Sequence, residues 1–88
     1  MIPKNITDKE IIKAINEIDV YGIPKNRNST KYLIKHNNSF YPPKYVLSIA
    51  NKLINGQELS PSNFNGGNET NNFLKKLGFT IVNGKNNI

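Results

Sequence analysis

Residues 29–50 read STKYLIKHNNSFYPPKYVLSIA, and the fold turns on how this stretch divides. Lys31-Tyr32-Leu33-Ile34-Lys35-His36 is rich in residues that suit a pleated strand. Asn37-Asn38 follows, and asparagine tolerates the positive φ that a two-residue hairpin turn demands. Ser39-Phe40-Tyr41 returns as a short second strand. Pro42-Pro43 ends that strand, because neither proline can donate to a ladder. Proline also suits the first turn of a helix. The helix that follows places Val46, Ile49, Ala50 and Leu53 on one face, at the i, i+3, i+4, i+7 spacing. Asn55-Gly56 stops it, glycine being suited to the left-handed C-terminal position.

Upstream, Thr7-Asp8-Lys9-Glu10 is a capping box, with Ile6 and Ile11 spaced as a hydrophobic staple. Asp8 and Glu10 also suit the positive end of a helix. Ile11, Ile15 and Ile18, joined by Ile12 and Ala14, form the expected buried face. Tyr21-Gly22 ends this helix near Asp19 or Val20, and Pro24 prevents its return. Residues 24–30 are a polar loop. Downstream, residues 57–62 form a loop that Leu59 anchors to the core. Gly66-Gly67 permits a sharp turn before a third helix, over about residues 68–77. That helix buries Phe73, Leu74 and Leu77, points Lys75 and Lys76 outward, and stops at Gly78. Residues 79–82 form a strand beside the hairpin, and residues 83–88 form a polar tail expected to fray. The order α-β-β-α-α-β implies an α+β domain, with helices covering a small antiparallel sheet of about three strands. The hairpin beside helices is loosely similar to winged-helix DNA binders, although here the hairpin precedes the helix pair.

Eighty-eight residues make a single domain, with its core expected over about residues 6–82. A chain of this size buries only roughly 60% of its unfolded surface, so modest stability is expected. The absence of cysteine excludes disulfides and thiolate metal sites. No apolar run approaches the roughly 20 residues of a membrane span, and no signal-peptide pattern opens the chain. A cytoplasmic protein with no membrane partner and no cofactor is therefore expected.

The net charge of +6 is unevenly placed. No acid lies between Asp19 and Glu58, where Lys25, Arg27, Lys31, Lys35, Lys44 and Lys52 all fall. Outside that window six lysines balance six acids, so the whole net charge comes from the window. Positive charge interleaved with Tyr32, Phe40, Tyr41 and Tyr45 is the footprint of a nucleic-acid surface; the same charge also suits a plain solvated face.

Within the window, Arg27 is the only arginine, and its guanidinium can bind a phosphate or a guanine edge bidentately. Ser29 and Thr30 can donate to phosphate or simply cap a turn. Strand alternation puts Lys31, Leu33 and Lys35 on one face, the expected DNA face. Tyr32, Ile34 and His36 share the other, where Tyr32 is expected in the core. His36, at the hairpin turn, is the sole histidine. It is an exposed turn residue or, when protonated, a phosphate contact. With no carboxylate in the window to orient it, acid–base catalysis is not expected. Lys44 stands in the first turn of its helix, where a cation opposes the macrodipole. A local benefit is therefore expected, such as a phosphate gripped by Lys44 and the helix amides together. Tyr41 and Tyr45 either line a pocket for a flipped or modified base near Lys44 or close the edge of the core. Gly66-Gly67 is too short for a phosphate loop and reads mainly as a structural turn. Glu69 beside it is suited to capping or to pairing with a lysine.

Tyr32-Leu33-Ile34 through the turn, Tyr41-Pro42-Pro43-Lys44, Ala50, Phe64-Asn65-Gly66-Gly67-Asn68-Glu69 and Leu77-Gly78-Phe79 form one ordered pattern over Ile11 to Val82. The pattern resembles the small N-terminal domain of Mcr-type, modification-dependent HNH restriction endonucleases. The resemblance implies a DNA-binding accessory module that senses modified DNA in a restriction or phage-defence system. Its partners would be double-stranded DNA and a nuclease domain or other protein. The turn is Asn37-Asn38 where the family suggests Asn-Gly. No nuclease follows in these 88 residues, so cleavage chemistry is not carried over. The chain is then either an excised domain or a free-standing relative. The alternative is a protein-interaction module, such as an inhibitor, that does not bind DNA.

Overall fold

The structure is a computed structural model that describes residues 2–29 and 31–84. Its elements are α1 (Asp8–Tyr21), β1 (Tyr32–His36), β2 (Ser39–Tyr41), α2 (Pro43–Asn55), α3 (Asn68–Lys76) and β3 (Thr80–Asn83), with short 3-10 turns at Lys25–Arg27 and Pro61–Asn63. This is the expected α-β-β-α-α-β order. Thr30 and residues 85–88, and with them most of the expected tail, lie outside the described residues.

Asn37 and Asn38 adopt φ of 50° and 66°, so the two-residue turn has positive φ at both positions, as a type I′ hairpin requires. The hairpin pairs Ile34 with Tyr41 and His36 with Ser39. On its other side β1 pairs antiparallel with β3, Ile34 facing Ile81. The sheet order is therefore β2-β1-β3, with the central strand carrying fully buried Ile34. Asn83, expected in the tail, is the last residue of β3, and the Gly84 amide donates to the Lys31 carbonyl at 2.9 Å. This backbone bond extends the order two residues past Val82.

The helix ends follow the local signals. Glu10 Oε1 accepts from both the amide and the hydroxyl of Thr7, at 2.8 and 2.6 Å. These bonds hold the Glu10 carboxyl below its usual range. Ile6 and Ile11 are both buried, as the staple requires. α3 closes with Gly78 at φ 97°, its amide donating to Lys75 and that of Phe79 to Leu74. This double bond is a Schellman motif.

The core gathers Ile11, Ala14, Ile15 and Ile18 of α1, Val46, Leu47, Ile49 and Ala50 of α2, Leu74 of α3, and Ile34 and Tyr41 of the sheet. Two expected core residues are on the surface: Ile12 is 39% exposed and Leu53 44%. α2 instead buries Leu47 and two polar residues, Ser48 and Asn51. Its second face has to hold the chain that follows it. Ser48 Oγ donates to the Leu59 carbonyl, and Asn51 Nδ2 donates to the Gln57 carbonyl at 2.8 Å. Leu59 is buried, as expected of the loop anchor.

Tyr41 closes the core edge: it is buried, and its Oη donates to Asp19 Oδ1 at 2.7 Å. Burial and this bond to a carboxylate raise the phenol above its usual value. A raised folded-state value means that the neutral form contributes stability below the unfolded value of about pH 10, and that this contribution is lost as pH rises through the folded value. Tyr41→Phe is therefore expected to cost about 1 kcal/mol near neutral pH. In urea unfolding, the gap between parent and variant should close as pH is raised well above 10.

Candidate nucleic-acid interface

The chain entering β1, the start of α2 and the start of α3 converge on one cleft of about 590 Å³. Arg27, Ser29, Lys31 and Lys44 all line it. So do Tyr32, Pro42, Pro43 and Pro61, which make its walls largely apolar. Among the described residues no carboxylate lines it, and of its three cations Arg27 has a counter-charge just outside the lining, in Glu58. Gly66 and Gly67 bound it from the α3 side. The N-cap residues of α2 and α3, Pro42 and Gly67, make no side-chain cap bond. Glu69, in the first turn of α3, does not line the cleft, and its Oε1 accepts from the Asn65 amide at 2.7 Å.

Each expected site residue now has a defined setting. Arg27 is braced rather than free. Its Nη2 donates to Ser48 Oγ at 2.9 Å, its Nη1 lies 3.6 Å from Glu58 Oε1, and its guanidinium sits 5.0 Å from the Tyr45 ring centre. Ser29 Oγ donates to the Tyr32 carbonyl at 2.7 Å, so it caps the turn into β1. Lys31 is exposed, with Nζ 5.5 Å from the Tyr32 ring centre. Lys44 Nζ donates to the Pro61 carbonyl at 2.7 Å and lies 4.6 Å from the centre of the Phe64 ring. These two contacts supply a local benefit that offsets the macrodipole cost, and they pin the segment between α2 and α3 against the start of α2.

The other four candidates lie elsewhere. Lys35 and His36 border a separate recess with Asp8 and Phe79, and the His36 and Phe79 rings stand 6.0 Å apart. Lys31 and Lys35 stand four positions apart along extended chain, about 13 Å. A flipped-base pocket shared by Tyr41 and Tyr45 near Lys44 is not formed. Tyr41 is in the core with its hydroxyl on Asp19, and Tyr45 lies under Arg27 in a groove with Lys52 and Glu58. Neither lines the cleft that Lys44 borders.

Two cleft features had no sequence signal. Glu58 closes the acid-free window in sequence but returns to it in space, against Arg27. Asn71, on the buried side of α3, lines the cleft and looks like any polar helix residue in the sequence. Among the described residues, no three His, Cys, Asp or Glu side chains cluster so as to hold a metal ion. Nor is any described helix long and apolar enough to cross a membrane.

No curated protein matches the chain. Among solved structures, the one titled "Structure of the Type IV phosphorothioation-dependent restriction endonuclease ScoMcrA" superposes with a TM-score of 0.64 at 24% identity. The match covers 91% of this chain and 13% of that one, so the chain spans a small part of the ScoMcrA length, and at this identity the likeness is one of fold. The family model described as "ScoMcrA-like, N-terminal head domain" matches residues 4–83, nearly the whole chain. The chain therefore belongs to the ScoMcrA-like N-terminal head domain family, a family of N-terminal domains of Mcr-type restriction enzymes.

Proposed function

We propose that this domain is a non-catalytic DNA-binding module of a restriction or phage-defence system, and that it contributes to sensing modified DNA. The observation that carries this reading is the cleft with three cations and, among the described residues, no lining carboxylate, set between the starts of α2 and α3, whose N-cap residues make no side-chain cap bond. Helix N-termini and cations both favour phosphate oxygens. The three cations that line the cleft belong to the segment that supplies the whole net charge. Lys31 and Lys35 are the exposed backbone contacts in this reading, with His36 joining them when protonated. Lys44 and the first amides of α2 hold one phosphate. Such contacts position the domain without carrying sequence information.

Membership of a head-domain family supports the non-catalytic part of this reading, and the proposed protein partner is a nuclease domain. ScoMcrA is described as phosphorothioation-dependent, so phosphorothioate joins modified cytosine among the marks to test. In a titration of labelled duplexes, Lys31→Ala and Lys35→Ala should each weaken binding to every duplex and reduce the salt slope by about 1. A consistent gap between plain and modified duplexes would establish sensing; identical curves would remove it.

A second reading rests on Val20 and Tyr21, which are 73% and 82% exposed at the end of α1. This apolar pair suits a protein partner. A stoichiometric partner on co-purification, with no DNA affinity, would favour an interaction module or inhibitor.

A further inference from the structure

The cleft contains one group that backbone phosphate binding does not use. Asn71 is only 7% exposed, it lines the cleft, and its Oδ1 has no hydrogen-bond partner. A buried acceptor left unpaired is costly, and such groups are rare in folded proteins. Its neighbour Thr70 is satisfied, its hydroxyl donating to the Asn65 carbonyl at 2.6 Å. The Asn71 Oδ1 is closed to solvent, so its amide has to turn toward the cleft to meet a ligand there, beside the apolar surface of Tyr32 and three prolines that line the same cleft. The volume of about 590 Å³ lies within the range of small-ligand sites, roughly 300–1,000 Å³.

We infer that the cleft takes one unstacked nucleotide of DNA, with its base edge donating to Asn71 and its phosphate at Lys31 and the start of α2. The inference rests on the DNA-binding function proposed above and names the part of DNA that enters. Each half of the site selects for one half of the ligand. Cations without lining carboxylates select an anion. An amide, which carries an acceptor beside two donors, matches a base edge where an amino group stands beside an acceptor, as in adenine or cytosine. The ring of Tyr32 and the prolines supply apolar surface for the faces of the base. Gly66 lines the cleft, and a Cβ there would be in ordinary contact with Lys44 Cδ at 3.4 Å, so a larger side chain takes up space beside Lys44. Thymine lacks the exocyclic amino group and fits less well.

The test compares three duplexes of equal length: one fully paired, one with a single bulged adenine, and one with an abasic residue at the bulge. A bulged base is already unpaired, so the cost of extruding it is largely absent. The bulged adenine should bind about tenfold or more tighter than the paired duplex, and the abasic bulge should not share the gain. Gly66→Leu, at an exposed position outside the left-handed region, should erase the difference between bulged and paired duplexes. In the parent protein, the Asn71 side-chain amide resonances should move on adding the bulged adenine and stay in place with the abasic duplex. An equal gain from the abasic bulge would show that a flexible backbone is being read, and would overturn the inference. So would an unmoved Asn71 resonance, or a bulge preference that survives Gly66→Leu. In those cases the paired duplex would still bind, and the DNA-binding function would stand. Failure of all three duplexes to bind would remove both.

Discussion

Leu47→Ala is expected to destabilise the domain by about 2–5 kcal/mol, measured by urea unfolding. Leu47 is fully buried in α2, the helix that packs on α1, β1 and α3. Truncating it removes transfer free energy and leaves a cavity that the surrounding core can fill only in part. A chain of 88 residues has roughly 4–13 kcal/mol of total stability, so the loss takes a large share of it. Because α2 also carries Lys44 and Pro43 into the cleft, DNA binding should fall in step with the folded fraction. Leu53→Ala is the control. It lies on the same helix but is 44% exposed, and the expected cost stays below about 1 kcal/mol.

Arg27→Ala is the second large effect, and it separates a brace from a reader. If the guanidinium acted only on bases, its loss would alter sequence preference and leave stability alone. Its contacts to Ser48, Glu58 and Tyr45 instead tie the loop before β1 to α2 and to the segment after it. A hydrogen bond from a charged donor to a part-buried hydroxyl is worth about 1.5–3 kcal/mol. The Glu58 contact adds little, because that carboxylate is about half exposed and solvent screens the pair. The expected loss is therefore about 1–3 kcal/mol in urea unfolding, with weaker binding to all duplexes alike. Arg27→Lys should recover only part of the stability. A lysine has one ammonium and no planar fork with which to serve Ser48, Glu58 and the Tyr45 face together.

The sequence was most informative where a fold is decided locally. The Thr7–Glu10 cap, the Asn37-Asn38 turn, Pro42-Pro43 and Gly78 each set a boundary through the backbone preference of one or two residues. They appear in the structure where they were expected. What sequence periodicity could not resolve was the width of each buried face. Leu53 continues the apolar stripe of α2, but the chain meets that helix along Ser48 and Asn51, which bond its backbone carbonyls. Hydropathy counts such residues as solvent-facing. The assignment of the site depended still more on distant pairings. Tyr41 faces the core because it pairs with Ile34. Glu58 reaches Arg27 across 31 residues of chain, and Asn71 reaches the cleft only through the packing of α3. The family resemblance supplied the domain type that composition alone could not give, and the match over residues 4–83 agrees with it.

The central claim is that the cationic cleft and the strand beside it bind DNA through its phosphates, and the salt dependence of binding tests it most directly. The parent domain would be titrated against one labelled duplex at several salt concentrations. About three to five phosphate contacts predict a slope of log affinity against log salt of roughly −3 to −4.5. No binding at low salt, or binding with a slope near zero, would contradict the account.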